Sequence, residues 1–371
     1  MAGPKTLTTR ELNRALLARQ GLLTRKRVSI PRMVAQTGGL QTQEPRDAFV
    51  SLAARIDGFD PEKFRRATER REIVRGSFYR CTLHTVTRED FLSFRLALSE
   101  VIARDSANWR DAYATFDKGK VIAAIEQLLA DGEPRSPKVI GDALAAQFPK
   151  ASREGLMNCA RCQVPVAMTP TDDRWGYSRP ATLALPELFL GAELAPDTPE
   201  AKTEILRRGI AAIGPATIAD LRTWSRLTGV KELLEPLIPR LREFRDEAGR
   251  TLYDLPRAPR PRPDTPAPVR FLGEFDNVFL SHDDRERIID AGHSDRFKIS
   301  TNGRRRYTFM VDGFVAGTWK PKPSRQTVTI EIEPFVKLTR SDRAAVEAEA
   351  RTVARILGPG AEFKFATSAA S

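Results

Sequence analysis

Two glutamines stand one residue apart where a helix is predicted to begin. Residues 38–46 read Gly-Gly-Leu-Gln-Thr-Gln-Glu-Pro-Arg, with Gln41 and Gln43 on either side of Thr42. Pro45 disfavours helical geometry for the residue before it, so we expect an extended segment that enters a helix at about Pro45. Alternate side chains of an extended segment share a face, which predicts that the two amides converge while Thr42 points away.

Two amides of this kind could hold a water molecule, but they could not take a proton from it. A glutamine amide does not titrate near neutral pH, so the general-base contribution of typically ~10²- to 10⁴-fold would be missing. Such a site therefore needs a substrate that is already activated. The spacing alone also fits a polar loop whose glutamines face solvent, so the neighbouring elements must decide.

The helix that follows the glutamines has the apolar pattern of a helix packed against a core. Phe49, Leu52, Ala53 and Ile56 follow the i, i+3, i+4, i+7 spacing of a helix with one buried face. Further helices and an alternating hairpin complete a unit with the order of a winged helix, and this order recurs twice. The sequence predicts winged helix 1 at residues 1–104, winged helix 2 at 105–194 and winged helix 3 at 195–258.

Caps, prolines and hydrophobic period predict the bounds of individual elements. In the winged-helix units we expect single helices over residues 88–104, 118–129, 199–213 and 232–241. Residues 255–268 form a proline-rich, basic connector that should be extended and semi-rigid. Short strands follow it, the first over 271–280, and a helix over 340–357 closes a β-rich region at 259–371.

The resulting fold class is α+β, mainly α. Within the β-rich region, Arg304, Arg305 and Arg306 are predicted to occupy the tip of a hairpin that turns at Asn302 and Gly303. We assign these arginines to contacts with DNA phosphates or the minor groove; a solvated turn is the alternative. The loop of the second unit carries Trp175, which either stacks on DNA or anchors the loop.

Composition favours a polyanionic partner. The chain of 371 residues has 60 Lys and Arg against 48 Asp and Glu, a formal charge of +12. Because each neutralised phosphate releases counterions, an excess of this size suits nucleic acid, although arginine-rich chains from GC-rich genomes are also basic. Apolar runs long enough to span a bilayer and a signal-peptide core are both missing. We expect a cytoplasmic monomer without a membrane association.

Metal and disulfide chemistry have few residues to use. Cys81, Cys159 and Cys162 are too few for a disulfide framework, and the Cys159 and Cys162 pair has no second pair or nearby histidine to complete a zinc site. With 3 histidines, the chain offers little to a histidine-based hydrolase. We predict no metal and no cofactor, and we interpret His84, at the end of a wing strand, as a packing residue rather than a site contact.

Seven segments resemble one known family, the AlkZ-like winged-helix DNA glycosylases (the AlkZ/YcaQ superfamily). They occur in the family's order over nearly the whole chain. The matching segments are LNRALLARQ (12–20), GLQTQ (39–43), RCTLH (80–84), RPATL (179–183), GPATIAD (214–220) followed by Trp224, FDN (275–277) with LSH (280–282), and VDGFVAGTW (311–319).

The resemblance implies a C-shaped body of three tandem winged helices around a DNA channel, with a Gln-apolar-Gln motif as the catalytic element. Gln41 and Gln43 match that motif, while Thr42 replaces the usual aliphatic residue. Gln43 also separates the chain from a sister branch that has aspartate there. The family uses a C-terminal β-hairpin against DNA, which we do not assign to one hairpin of this chain.

The implied activity is that of a monofunctional DNA glycosylase in base excision repair of double-stranded DNA containing alkylated purines. Relatives unhook interstrand crosslinks or release bulky N7 adducts of DNA-alkylating antibiotics such as azinomycin B, which gives the producer self-resistance. The main alternative is a non-catalytic winged-helix DNA-binding protein or transcriptional regulator. A nuclease would need clustered carboxylates for metal, and the pairs Asp172-Asp173 and Asp283-Asp284 are better interpreted as surface turns.

Overall fold

The first unit holds the two glutamines between helices. The computed structural model describes residues 3–105, 110–290, 292–293 and 307–368. A capping box between Thr8 and Glu11 begins the first helix, and Ser29 caps the second. The elements are β1 (Thr6–Leu7), α1 (Thr9–Arg19), α2 (Ile30–Thr37), β2 (Leu40–Gln41), α3 (Pro45–Arg55), α4 (Pro61–Glu69), β3 (Ile73–Ser77), β4 (Leu83–Thr87), α5 (Arg88–Phe94) and α6 (Ser99–Asp105).

The single helix predicted over residues 88–104 is wrong, because the chain breaks it into α5 and α6. The Ser99 hydroxyl donates to the Arg95 carbonyl at 3.4 Å and accepts from Arg95 Nη1 at 3.2 Å. Local side-chain bonds of this kind compete with regular helical bonding. The Arg95 side chain is buried at this break.

The second unit continues the β-sheet of the first. The sheet order is β2-β4-β3-β5-β6, and β3 pairs with β5 through Arg75 opposite Met168 and Gly76 opposite Ala167. A Cβ atom at Gly76 would stand 2.9 Å from Phe91 Cε2, so only glycine allows this approach. The elements are α7 (Arg110–Tyr113), α8 (Lys118–Leu129), α9 (Pro137–Gln147), α10 (Arg153–Cys162), β5 (Ala167–Met168), β6 (Leu183–Ala184) and α11 (Pro186–Leu190).

The third unit pairs with the start of the chain, since β1 lies parallel to its first strand with Thr6 opposite Arg245. Its elements are α12 (Pro199–Ile213), α13 (Ile218–Ser225), α14 (Val230–Leu234), β7 (Arg242–Asp246) and β8 (Thr251–Asp254). The helix predicted over residues 232–241 is wrong beyond Leu234. Pro236 has no backbone N–H to continue the helical hydrogen bonding, and a short 3₁₀ turn at Ile238–Arg240 replaces the expected helix.

The C-terminal region is β-rich, as predicted, with sheet order β13-β12-β11-β10-β9. The strand predicted over 271–280 ends at Leu272, because the Asp276 side chain accepts from the Val278 N–H and caps a helix. Residues 301–306, and with them Arg304, Arg305 and Arg306, lie outside the described residues. The elements are β9 (Arg270–Leu272), α15 (Asn277–Leu280), β10 (Tyr307–Val311), β11 (Phe314–Pro323), β12 (Thr327–Pro334), α16 (Arg340–Leu357) and β13 (Glu362–Thr367).

Buried ion pairs fix the first unit to the later parts of the chain. Arg55 of α3 makes two bonds to Asp276, of 2.8 and 2.7 Å, and both side chains are fully buried. Arg19 of α1 makes an equivalent pair with Asp254 of β8. The fold class is confirmed as mixed α and β with a β-rich end, while the division at residues 104, 194 and 258 stays a prediction. Among the described helices, none is both long and apolar enough to cross a membrane.

Candidate active site

The glutamine segment is the edge strand of the shared sheet. Strand β2 pairs antiparallel with β4, which places Gln41 opposite His84. The preceding turn uses Gly38 and Gly39 at φ of 75° and 87°, and a Cβ atom on Gly39 would lie 2.8 Å from Val86 Cγ1. Asn277 Nδ2 donates to the carbonyls of Thr37 and Gly39 at 2.9 and 2.6 Å, so the C-terminal region holds this turn.

Both glutamine side chains bind the segment that leads into β4. Gln41 is buried, and its Oε1 accepts from Arg80 Nη2 at 2.9 Å. Gln43 is half-buried, and its Oε1 accepts from the Leu83 N–H at 3.0 Å. Arginine and backbone N–H groups can only donate, so these contacts require the oxygen of each amide on this side. No second donor reaches either oxygen within the described residues, so each oxygen keeps a lone pair that could accept from a water molecule.

Thr42 points to a different partner, as the alternation predicted. Its side chain is buried, and Oγ1 lies 3.0 Å from Thr85 Oγ1. Its hydroxyl is therefore satisfied inside the sheet, which allows threonine where the resemblance implies an aliphatic residue.

Arg80 is held in a backbone conformation that is uncommon for arginine. It lies at φ 58° and ψ 25°, and Cys81 follows at φ 53°. Besides Gln41, its guanidinium donates to the Trp224 carbonyl at 2.8 Å from Nη1. The Tyr79 ring packs on Trp224 with centroids 4.5 Å apart. The third unit thus supports the residue that orients Gln41, and such strain persists only where the surroundings impose it.

His84 completes this network as a neutral acceptor. Its Nδ1 lies 3.0 Å from the Thr82 carbonyl, so Nδ1 carries the proton and Nε2 accepts from Arg80 Nη2 at 3.2 Å. Burial, and next the Arg80 charge, lower the pKa of His84 to about 3. The residue therefore cannot serve as a base near neutral pH. It packs internally, as predicted, and it also positions Arg80.

Arg75 clamps the backbone of the two glutamines. Its Nη2 donates to the carbonyls of Thr42 and Gln43 at 2.8 and 3.0 Å, and its Nε donates to Thr42 at 3.1 Å. Burial lowers the pKa of Arg75 to about 10, which leaves the guanidinium charged at neutral pH. The Tyr177 ring lies 5.5 Å from its Cζ. Sequence reasoning missed this residue, whose signal is a charge within the buried strand β3.

Comparisons with known proteins identify the family of the chain. The family model described as DNA glycosylase AlkZ-like matches residues 34–356, which include both glutamines and both arginines. The chain belongs to the AlkZ-like DNA glycosylase family. Among solved structures, Streptomyces sahachiroi DNA glycosylase AlkZ is similar, with a TM-score of 0.79 and 20% identity over 97% of this chain and 100% of that one. This likeness shows a shared fold. No curated protein sequence matches the chain.

In this AlkZ-like chain, two carboxylates that sequence analysis missed stand beside the glutamines. Glu44 directly follows Gln43 and binds the Arg179 guanidinium. Asp47, in the first turn of α3, accepts from the Tyr307 hydroxyl at 2.7 Å. Burial, helped by the nearby Glu274 and against the lowering effect of the Tyr307 hydrogen bond, raises the pKa of Asp47 to about 7. Their available signal was position: one follows the motif and the other is one helical turn further on.

Other predicted residues fall outside this AlkZ-like site. The ring of Trp175 packs edge-on against Phe49 of α3, with centroids 4.9 Å apart, and the Arg174 guanidinium lies 4.1 Å from its centre. These contacts anchor the loop to the unit that carries the two glutamines. Cys159 and Cys162 are both buried on α10. Within the part of the chain that the structure describes, no cluster of three His, Cys, Asp or Glu side chains could hold a metal.

Proposed function

We propose that this AlkZ-like chain is a monofunctional glycosylase that hydrolyses the glycosidic bond of purines carrying an alkyl group on N7 or N3. One observation carries the proposal: the amide oxygens of Gln41 and Gln43 are oriented by donors, and the adjacent His84 is neutral with its acceptor nitrogen occupied. Such a site orients water without deprotonating it, so it suits a substrate whose base already leaves easily.

Cationic purines meet that requirement. Alkylation at N7 or N3 puts positive charge on the base, so the bond to C1′ breaks with its electron pair going to the base, which departs neutral. The sugar becomes oxocarbenium-like, and water adds to C1′ while its proton passes to solvent. The remaining lone pairs of the two amide oxygens accept from this water, and their partial negative charge stabilises the positive charge on the sugar. Uracil would leave as an anion and should not be released.

The resemblance set out above extends the proposal to bulky N7 adducts and interstrand crosslinks of DNA-alkylating antibiotics, with self-resistance as the benefit. Among the described strands, β2 has a neighbour on one side only, and we infer that this open edge leaves room for bulk on the base. The physiological lesion is the one that the chain releases fastest, and the following comparison identifies it.

The test measures release of 7-methylguanine from methylated DNA and unhooking of an azinomycin-type crosslink, with uracil-containing DNA as a negative substrate. Wild type is compared with Gln41→Ala, Gln43→Ala and the control Gln127→Ala, which removes an exposed glutamine from α8. We expect loss of release in the two site variants, with DNA binding and the control unchanged. Binding without release by wild type would instead support the non-catalytic regulator, and uracil release at a comparable rate would refute the mechanism.

A further inference from the structure

Two cysteines from different units meet beside the candidate active site. Cys81 ends the short turn Tyr79–Cys81, and Cys162 ends α10, 81 residues later in the chain. Their sulfur atoms lie 3.3 Å apart, and both are free thiols. A disulfide has a sulfur separation of about 2.05 Å, so bond formation needs an approach of only ~1.2 Å.

The surroundings of the pair favour a thiolate at Cys162. Arg95 is buried beside both sulfurs, and its Nε has no hydrogen-bond partner in the described part of the chain. A hydrogen bond from Cys81 lowers the pKa of Cys162, and Arg161 and Arg95 lower it further. The same bond, with burial, raises the pKa of Cys81. Thiolates near buried cations are the reactive form of cysteine.

Cys81 is coupled to Gln41 through Arg80, which is joined to Cys81 by a peptide bond and to Gln41 by a hydrogen bond. Its neighbour Arg80 donates to Gln41 Oε1 at 2.9 Å, and both residues have positive φ. A strained turn has few alternative conformations, so moving the Cys81 sulfur towards α10 also moves Arg80. A shift of about 1 Å takes the Arg80 to Gln41 contact beyond hydrogen-bonding distance.

We propose that Cys81 and Cys162 are an oxidation site, and that their disulfide slows base release by withdrawing Arg80 from Gln41. A peroxide supplies the oxidising equivalents. The Cys162 thiolate attacks one peroxide oxygen, the O–O bond breaks, a sulfenic acid forms on Cys162 and hydroxide leaves. The half-buried Cys81 thiol then attacks that sulfur, the S–S bond forms and water leaves. Two electrons pass from the thiols to the peroxide, and a thiol reductant reverses the change.

Formation of the disulfide between Cys81 and Cys162 is tested without any activity assay. The full chain is treated with hydrogen peroxide, its free thiols are counted, and its peptides are mapped by mass without reduction. We expect loss of two thiols and one Cys81 to Cys162 link in wild type and in the control Cys159→Ser. The link should be missing in Cys81→Ser and Cys162→Ser. A link to Cys159, further oxidation of Cys162 without a link, or three unreacted thiols would overturn the proposal.

The claim that the disulfide slows base release rests on the proposed function, and it is tested on the same samples. Oxidised wild type should release 7-methylguanine about 10- to 100-fold more slowly, the effect of one lost hydrogen bond to a charged group, and dithiothreitol should restore it. Cys81→Ser should be insensitive to peroxide. An unchanged rate of base release despite the mapped disulfide would overturn the claim that the disulfide regulates it. If reduced wild type releases no base, the proposed function fails, while the peptide map still decides the disulfide.

Discussion

Arg80 Nη2 donates to the side-chain oxygen of Gln41 at 2.9 Å, from a backbone at φ 58°. The same atom contacts His84 Nε2 at 3.2 Å, and Nη1 bonds the Trp224 carbonyl. In the proposed mechanism a cation here would destabilise the positive charge that develops on the sugar, so we infer that Arg80 contributes by orienting the amide. One arginine thus connects the glutamine segment, strand β4 of the first unit and helix α13 of the third.

Removal of the Arg80 guanidinium should slow base release without weakening DNA binding. Arg80→Gly keeps the left-handed backbone and removes the donor, and we expect single-turnover release of 7-methylguanine to fall about 10- to 100-fold. Added guanidinium ion should restore part of the rate. Arg226→Gly is the matched control, because Arg226 also has positive φ, at 61°. Equal losses of rate and affinity, or no rescue, would contradict an orienting role.

Asp47 should make stability depend on pH. Because burial raises its pKa to about 7, folding favours the protonated carboxyl. Its stabilising contribution is therefore complete below the unfolded value of about pH 4 and is lost as pH rises through about 7. We expect Asp47→Asn to lose less stability than wild type between pH 5 and pH 8, measured as urea midpoints.

The same variant tests whether Asp47 is a hidden general base. If the glutamines act without a base, wild type and Asp47→Asn share one pH profile for release of 7-methylguanine between pH 6 and 8. A wild-type rate that rises with an apparent pKa near 7, and that is flat in the variant, would assign the proton to Asp47. That result would revise the mechanism while leaving the substrate class unchanged.

The buried pair of Arg55 and Asp276 should matter far more to stability than an exposed pair nearby. Both of its side chains are fully buried, so Arg55→Ala leaves a carboxylate uncompensated and should cost ~3–5 kcal/mol. Arg27 and Asp57 form a pair with the arginine 89% exposed, and Arg27→Ala should cost less than ~1 kcal/mol. Denaturant unfolding measures both. Similar losses would show that burial does not decide the difference.

Arg304, Arg305 and Arg306 remain a prediction from sequence. If they contact DNA phosphates, replacing any one by glutamine should reduce the slope of log affinity against log salt by about one phosphate, ~0.9. Affinity should fall alike for different DNA sequences. An unchanged slope in all three single variants would assign the run to a solvated turn.

Local signals predicted the elements that they control. Helix α12 was predicted at its observed bounds because Thr198 caps it and Pro199 occupies its first turn. The glutamine segment followed from Pro45 in the same way. One error arose where a side chain has a distant partner: Asp276 begins a helix while binding Arg55, which is 221 residues away. For the same reason the roles of the site arginines were not predicted, since Arg80 bonds a carbonyl 144 residues further along the chain. The helix breaks at Ser99 and after Leu234 have local causes that the hydrophobic period does not show.

The sheet shared by the first two units limits how the protein can be recombined. Strand β3 pairs with β4 on one side and with β5 of the second unit on the other, and Arg75 on β3 holds the glutamine backbone. A chimera joined at residue 104 would therefore replace β5, the strand that pairs with β3 beside Arg75. Exchange of specificity between relatives should keep residues 1–184 as one block, so that the sheet is inherited whole.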